Sequence, residues 1–296
     1  MRQTGTMGIG AATPALPDAL TLGAVHLRVR SLADAVAWYE RSLGLVERRR
    51  DPEAGVAELG DGQSTVIVLH EDGLADPAGR TAGLYHYALL FPSRQELARA
   101  ALRLAATRTP IEGASDHRTH EAIYLPDLDG NGIELAADRP RELWPSNEAL
   151  YAGRPAPLDT DSLLATIAGE APNERVRDGL RVGHVHLHVG DVEQALAFYR
   201  DLVGLELQAS IGSAAFLSAG GYHHHLGVNV WNGKGVGPPS AHTVGLVNWT
   251  VRLPRAADVA DVQERLRAAG VAVEPYDGGL LAQDPWGSAV AFVAAG

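Results

Sequence analysis

Two segments of the chain repeat each other, and this repeat limits what the chain can fold into more than any other feature. Residues 22–45 read LGAVHLRVRSLADAVAWYERSLGL and residues 182–205 read VGHVHLHVGDVEQALAFYRDLVGL, with ten identical positions out of 24 at a constant offset of 160. Self-similarity at a fixed offset is the signature of duplicated structural units. The length of 296 residues also suits two domains of roughly 100–200 residues each. We therefore expect one domain over residues 21–140 and a second over residues 181–296.

Each copy of the repeat has the same predicted local structure. A strand (AVHLRV or HVHLHV) comes before an amphipathic helix, and Ser31 or Asp191 is placed to cap that helix with a side-chain oxygen. Gly44 and Gly204 are expected to end the helices, because glycine adopts the left-handed conformation there at little cost. A second, fainter unit of the same plan follows within each half, so we predict an α+β protein of four βαβββ modules. The modules lie near residues 22–72, 83–137, 181–232 and 244–295.

The segments outside the repeats are predicted to be a leader and a linker. Residues 1–20 are rich in glycine, alanine, threonine and proline without a continuous apolar stretch, and we expect a disordered leader there. Residues 141–180 contain several prolines and then the short helical pattern DSLLATIAG, which ends at Gly169. This pattern indicates an ordered linker with a short helix between the two domains.

The composition excludes several kinds of site. The chain has no cysteine, so disulfides, thiolate zinc sites and iron–sulfur clusters are ruled out, and a metal could be held only by histidine, aspartate or glutamate. A formal net charge of −11 disfavours nucleic acid as a partner, because an acidic surface repels phosphate. The apolar runs fall short of the ~20 residues of a membrane span, and the N-terminus has no secretory signal pattern. We expect a cytoplasmic protein that binds neither nucleic acid nor membrane.

The positions that could carry chemistry are those at which equivalent modules differ. His184 stands where the first module has Ala24, and His86 stands where the fourth module has Asn248. Glu134 lies on the last strand of the second module, where the fourth module has an alanine. A carboxylate that faces inward from an apolar strand is costly unless it is paired or binds a metal. Two histidines and one carboxylate are the ligand set of non-haem Fe(II) oxygenases.

Residue spacing alone leaves other interpretations open. His184, His186 and His188 lie on one face of a strand, because strand side chains alternate with a period of two, so spacing does not select among them. A single histidine on a strand is more often a half-buried structural residue than a ligand. Glu134 could be an ion-paired residue at the edge of the core. The residues by themselves therefore leave a metal site and a structural cluster as alternatives.

Two further patterns carry a resemblance to a known family. The repeated core A-x-x-[WF]-Y and residues 116–134 (DHRTHEAIYLPDLDGNGIE) resemble the vicinal oxygen chelate superfamily, which includes glyoxalase I, fosfomycin-resistance transferases, bleomycin-binding proteins and extradiol ring-cleaving dioxygenases. The positions that match the extradiol signature are His117, Tyr124, Asp127, Gly130 and Glu134. Leu128 stands where that signature has proline, and Ser115 stands where it usually has glycine. Residues 220–231 (GGYHHHLGVNVW) are similar to two-domain proteins of the bacterial catechol-2,3-dioxygenase type.

The resemblance implies the vicinal oxygen chelate fold, in which curved mixed sheets form a cavity, and it implies a set of site residues. The metal ligands would be His86, Glu134 and His184. The metal would be Fe(II), with Mn(II) as the alternative. His224 would be the acid–base residue beside dioxygen, and His117 and Tyr124 would hydrogen-bond the substrate oxygens. The reaction would insert O2 into a small aromatic diol of the catechol type, and the resemblance leaves open whether the chain forms a homodimer.

The implied ligands come from different halves of the repeat. His86 and Glu134 belong to the second module, whereas His184 belongs to the third. We therefore expect a site between residues 83–137 and residues 181–232. This site forms either within one chain, if the two domains exchange modules, or where two chains meet.

Two details of the implied site stay open at the level of sequence. His120 could take the place of His117, because both lie in the same polar stretch. In the run from His223 to His225, neighbouring side chains of an extended chain point to opposite faces, so only some of the three can face the cavity.

Three other functions remain alternatives. The protein could be a Lewis-acid metalloenzyme of the glyoxalase or fosfomycin-transferase kind, using zinc, nickel or manganese. It could be a metal-free drug-binding module, or a degenerate scaffold with a structural metal. The acid–base and diol-binding residues that the resemblance implies favour the dioxygenase over the first alternative, and the complete ligand set disfavours the second.

Overall fold

Four copies of one unit, a strand followed by a helix and three more strands, make up most of the chain. The computed structural model describes residues 15–295. Each module runs βαβββ, so the predicted α+β class and the four-module plan are confirmed. In the first half the strands are β1 Thr21–Val29, β2 Val46–Asp51, β3 Val56–Gly60, β4 Thr65–Glu71, β5 Gly83–Phe91, β6 Gly113–Asp116, β7 His120–Pro126 and β8 Gly132–Asp138. The later strands are β9 Ala156–Pro157, β10 Arg181–His188, β11 Glu206–Ser210, β12 Ala214–Ser218, β13 Leu226–Asn229, β14 Gly245–Leu253, β15 Val273–Tyr276, β16 Gly279–Gln283 and β17 Ala289–Ala294.

The two helices of the repeat begin and end where the sequence pattern places them, with one addition. In the linker, the predicted helix ends at Ala165 rather than at Gly169, and a second short helix was not predicted. The helices are α1 Leu32–Trp38, α2 Arg94–Thr107, α3 Asn147–Tyr151, α4 Thr160–Ala165, α5 Val192–Phe198 and α6 Ala256–Ala268. Ser31 and Asp191 cap α1 and α5 by accepting backbone hydrogen bonds, as predicted. Gly44 and Gly204 end these segments in the left-handed conformation, with φ of 69° and 98°. The addition is a π-helical turn before each glycine, at Tyr39–Leu43 and Tyr199–Val203.

The sheets pair the modules in a nested order, the first with the fourth and the second with the third. The first sheet has the strand order β15-β16-β17-β14-β1-β4-β3-β2, and β1 runs antiparallel to β14 at its centre. The second sheet has the order β11-β12-β13-β10-β5-β8-β7-β6-β9, and β10 runs antiparallel to β5 at its centre. Each sheet therefore takes one module from each half of the repeat. The second and third modules meet within a single chain.

The central strands of the second sheet separate an apolar face from a histidine-rich face. Val185 and Leu187 of β10 are fully buried and belong to the hydrophobic core that the helices and both sheets share. His184 and His186 alternate with them and so project from the opposite face, as the period of two requires. The core thus fixes the register of β10, because a shift by one residue would put imidazoles into the apolar core.

The segment between the two halves is ordered and joins the second sheet. It contains a 3₁₀ turn at Arg141–Leu143, the helices α3 and α4, and the short strand β9, which pairs with β6 at the sheet edge. The predicted leader over residues 1–20 lies for its larger part outside the described residues. Leu16 and Leu20, near its end, are buried, so the packed part of the chain begins before residue 21. Within residues 15–295, no helix combines the length and the apolar character needed to cross a membrane.

A buried hydrogen bond joins the first module to the second. The hydroxyl of Tyr39 donates to Oδ2 of Asp127 at 2.8 Å and lies 3.0 Å from the hydroxyl of Tyr87. Asp127 also accepts backbone hydrogen bonds in the turn before β8, so this carboxylate shapes the turn that leads to Glu134. The third and fourth modules repeat the arrangement, since Tyr199 donates to an aspartate at 3.0 Å.

We expect Tyr39→Phe to lower the free energy of unfolding by about 1.5–3 kcal/mol, because a buried carboxylate loses a hydrogen bond that water cannot replace. Urea denaturation followed by circular dichroism measures the difference. Tyr276→Phe is the control, since its hydroxyl is only half-buried and bonds no carboxylate. An unchanged stability of Tyr39→Phe would show that the bond to Asp127 does not hold the modules together.

Candidate metal centre

Three side chains on the histidine-rich face converge on one point. Nε2 of His86 lies 3.2 Å from Oε2 of Glu134 and 3.3 Å from Nε2 of His184. Nε2 of His184 lies 3.1 Å from the same carboxylate oxygen. All three residues are buried, and Glu134 is only 1% exposed. The structure therefore brings together the three residues that the sequence proposes as ligands, and it does so within one chain.

The pairing of three neighbouring strands positions these donors. His86 on β5 lies opposite His186 of β10 across the antiparallel pair, which places His184 next to it on the same face. Glu134 lies on β8, which runs parallel to β5 on its other side. A side chain at Gly132, where β8 begins, would approach the carbonyl oxygen of Tyr85 to 2.1 Å. Only glycine allows β8 to come this close, and the close pairing brings Glu134 alongside His86.

The donor set fits a divalent cation. A metal with ligands at about 2.1 Å and at right angles to one another would separate its donor atoms by about 3.0 Å, which matches the three spacings here. Burial alone would raise the pKa of Glu134, but His184, His120 and His86 outweigh it and hold that pKa well below its usual value. Burial lowers the pKa of His184, so its imidazole is neutral. One carboxylate oxygen and two imidazole nitrogens that share a focus are ligands that Fe(II), Mn(II) and Zn(II) accept.

His117 and His120 take different places, so neither replaces the other. Nε2 of His120 lies 3.0 Å from Oε1 of Glu134, the carboxylate oxygen that points away from the other two donors. Nε2 of His117 lies 2.7 Å from the hydroxyl of Tyr124. The two imidazoles stack with their centroids 4.5 Å apart. His120 thus lies against the carboxylate without a well-aligned hydrogen bond to Oε1, while His117 and Tyr124 form a separate polar pair.

Burial keeps that polar pair neutral. Burial lowers the pKa of His117 to about 4, and the neighbouring imidazole of His120 lowers it further by electrostatic repulsion. Burial raises the pKa of Tyr124 well above its usual value, and the charge of Glu134 acts in the same direction. A neutral imidazole and a protonated phenol can donate and accept hydrogen bonds without bringing in a charge.

His223 and His224 line the cavity and His225 does not, so only some of the three face it, as predicted, but the two that do are neighbours and do not alternate. The alternation rule does not apply, because residues 219–225 form an irregular turn before β13 rather than an extended strand. The ring of His224 lies 4.2 Å from that of His184, centroid to centroid. Burial lowers the pKa of His224 well below its usual value, and His184 lowers it further. His225 lies apart and lines a different cavity.

A cavity of about 420 Å³ is lined by His86 and Glu134 of the donor set, and its volume is within the usual size range of small-molecule sites. Its walls include the aromatic side chains of Tyr85, Phe216 and Trp231. The linker between the halves closes one side with residues 150–155, and Tyr151 donates a hydrogen bond to the backbone carbonyl of His223. Sequence reasoning missed this wall, because the linker has no counterpart elsewhere in the chain to mark it as part of a site.

The equivalent place in the first sheet has no such donor set. Ala24 and Ala291 stand where His184 and Glu134 stand in the second sheet, and they offer no ligand atom. His26 bonds the side chains of His70 and Tyr276 instead, at 3.0 and 3.2 Å. Of the two sheets, the second carries the candidate centre.

The sequence matches one family over both halves. The model of the glyoxalase/bleomycin resistance protein/dioxygenase superfamily matches residues 21–135 and 181–292. The chain belongs to this superfamily. The resemblance to the glyoxalase and extradiol dioxygenase group is therefore confirmed. The two matched ranges include every residue of the donor set and its neighbours.

Members of this superfamily resemble the chain along nearly its whole length. Catechol-2,3-dioxygenase of Bacillus subtilis (strain 168) is 37% identical over 270 residues, covering 89% of this chain and 93% of that protein. Among solved structures, a Bacillus subtilis protein assigned provisionally to the dioxygenases has a TM-score of 0.65 at 13% identity, covering 96% of this chain and 86% of that chain. Glyoxalase I of Zea mays has a TM-score of 0.56 at 18% identity, covering 93% of each chain. At these identities the two structures support the superfamily fold.

Proposed function

We propose that the protein is an extradiol ring-cleaving dioxygenase that inserts O2 into a catechol-type aromatic diol. The observation that carries the proposal is the convergence of His86, Glu134 and His184, with donor atoms 3.1–3.3 Å apart, beside a cavity that His86 and Glu134 line. Two imidazoles and one carboxylate leave the opposite side of a metal open, as in non-haem Fe(II) oxygenases. The relative that is 37% identical is named catechol-2,3-dioxygenase, which supports the same reaction.

The three donors would hold Fe(II), with Mn(II) as the alternative. When bound, the metal would supply the electron transfer between a chelated diol and dioxygen, which spin restriction otherwise makes slow. All three donors come from strands of one sheet, and His86 and Glu134 line the cavity, so a molecule in the cavity could reach the point on which the donors converge. Nε2 of His120 lies 3.0 Å from Oε1 of Glu134, and this contact would help to keep Oε2 directed at that point.

His224, Tyr124 and His117 would act on the substrate. The neutral imidazole of His224 lines the cavity beside His184 and can take a proton from a diol hydroxyl and later return it. Tyr124 and His117 also line the cavity, and their neutral hydrogen-bonding groups can steady charge that develops on a substrate oxygen. The aromatic walls accept the ring and exclude water around it.

Anaerobic loading of the chain with Fe(II), followed by catechol and then air, tests the proposal. We expect oxygen uptake and a yellow ring-fission product, and neither should occur with the metal-free chain. Loading with Mn(II) in parallel shows which metal supports turnover. Absence of ring cleavage over a panel of substituted catechols, together with isomerisation of a hemithioacetal by the Zn(II)-loaded or Ni(II)-loaded chain, would overturn the proposal in favour of a Lewis-acid enzyme.

A further inference from the structure

A line of three side chains leads from the edge of the cavity towards the surface. Nδ1 of His224 lies 2.9 Å from Nδ1 of His223, and Nε2 of His223 lies 3.3 Å from Oδ1 of Asp138. The other carboxylate oxygen of Asp138 accepts a hydrogen bond from the hydroxyl of Tyr222 at 2.9 Å. The two histidines are buried, whereas the side chain of Asp138 is about one-fifth exposed. Neither His223 nor Asp138 is among the donors of the metal centre.

The carboxylate of Asp138, at the outer end of this line, determines which ring nitrogen of His223 carries a proton. Burial is the largest effect on the pKa of Asp138 and would raise it, but the hydrogen bonds from His223 and Tyr222 and the nearby histidines together outweigh burial, so the pKa is lowered. An ionised carboxylate can only accept hydrogen bonds. Nε2 of His223 must therefore carry the proton that is shared with Asp138.

The tautomer of His223 then decides the tautomer of His224. The ring of His223 is buried against the rings of His120 and Tyr222, and such burial disfavours the charged form of an imidazole, so the ring carries a single proton. With that proton on Nε2, Nδ1 of His223 has only a lone pair to offer. Nδ1 of His224, at 2.9 Å, must be the donor. Nε2 of His224 is consequently the nitrogen without a proton.

We propose that Asp138 and His223 are positioning residues that fix His224 in the tautomer with a free lone pair on Nε2. Within the described residues, Nε2 of His224 forms no hydrogen bond, although the ring lines the cavity, so this lone pair is available to a bound molecule. The inference rests on the proposed function for its consequence, since a base that accepts a diol proton needs an unprotonated nitrogen. The tautomer itself follows from the hydrogen-bond contacts and the burial of the His223 ring, and it does not depend on the proposed function.

A purely structural role for His223 is the alternative to be tested. Its ring stacks on His120 at a centroid distance of 4.6 Å and on Tyr222 at 4.1 Å, so packing could explain why an aromatic ring is needed. Two substitutions separate these roles. His223→Phe keeps an aromatic ring but removes both hydrogen bonds, whereas His223→Gln loses the ring but retains an amide donor and a carbonyl acceptor.

Nitrogen NMR of the full-length chain with ¹⁵N-labelled histidine tests the tautomer without any turnover. In the metal-free protein at neutral pH, we expect the His224 signal, assigned by its loss in His224→Phe, to show a protonated Nδ1 and an unprotonated Nε2. His223→Phe should mix the two tautomers and His223→Gln should keep the original one. A proton on Nε2 of His224 in the wild-type chain would overturn the inference, whether or not the protein cleaves diols.

Kinetics of the Fe(II)-loaded variants test the consequence. We expect His223→Phe to lower kcat on the order of 100-fold, within the range for acid–base catalysis, with little change in KM for the diol. His223→Gln should recover most of that loss. The opposite order, with the phenylalanine variant active and the glutamine variant inactive, would show that His223 acts by packing and would overturn the inference. If the wild-type chain cleaves no diol, the proposed function fails, and the NMR result alone decides on the tautomer.

Discussion

Glu134→Ala is expected to abolish stoichiometric metal binding and, with it, diol cleavage. Glu134 supplies the only carboxylate among the three converging donors, and its loss leaves two imidazole nitrogens 3.3 Å apart. Substitution of residues that merely orient ligands typically lowers metal affinity about 10–100-fold, so loss of the carboxylate itself should lower it by at least on the order of 100-fold. Elemental analysis of the purified, Fe(II)-loaded variant measures the remaining metal.

Glu121→Gln is the matched control for this substitution. Glu121 is also a buried carboxylate, on the strand next to β8, but it pairs with Arg94 and Arg139 and not with the donor set. We expect this variant to bind one metal per chain. Circular dichroism should show that both variants fold, because each substitution changes one polar side chain and leaves the apolar core intact. Full metal occupancy in Glu134→Ala would refute the assignment of the centre.

His224→Phe is expected to lower kcat by about 10²–10⁴-fold while the metal content stays the same. The imidazole of His224 lies against His184 and lines the cavity, but it is not one of the three converging donors. Loss of a well-placed acid–base residue usually has an effect of this size. Phenylalanine keeps the ring packed against Phe216, whose centroid lies 5.2 Å away. Stopped-flow measurement of the ring-fission product gives kcat.

The next residue in the chain supplies the control. His225→Phe changes the same kind of side chain one position further on, where the imidazole faces a separate cavity beside Tyr222. We expect its kcat to stay within a few-fold of the wild-type value. Equal turnover in His224→Phe and His225→Phe would show that His224 takes no part in the reaction.

The sequence was sufficient to predict the fold because its information is local and repeated. Ser31 and Gly44 mark the limits of a helical segment, and their counterparts 160 positions later mark the same limits. Comparison of equivalent modules also singled out His184 and Glu134, since a duplicated chain shows where polar residues replace alanine. Their role as ligands stays a prediction, although the structure brings them to one point.

The remaining features depend on contacts that local patterns do not encode. Whether the second and third modules meet within one chain is decided by strand pairing over about a hundred residues, as between His86 and His186. The turn that places both His223 and His224 on the cavity side breaks the alternation from which their directions were predicted. The cavity wall that the linker forms around Tyr151 could not be predicted. The linker has no repeated counterpart and no hydrophobic periodicity, so the sequence does not show which of its side chains face the cavity.

The nested pairing of the modules has a consequence for how the chain is made. The second and third modules leave the ribosome one after the other. Their central strands can therefore pair, and form the sheet that carries the candidate centre, while the last module is still being translated. β1, in contrast, must wait for β14, which is translated more than two hundred residues later. An unpaired strand edge is prone to pair with other chains. The first module is thus the part of the nascent polypeptide that is most exposed to aggregation until synthesis ends. Chaperones or a low concentration of nascent chains would protect it.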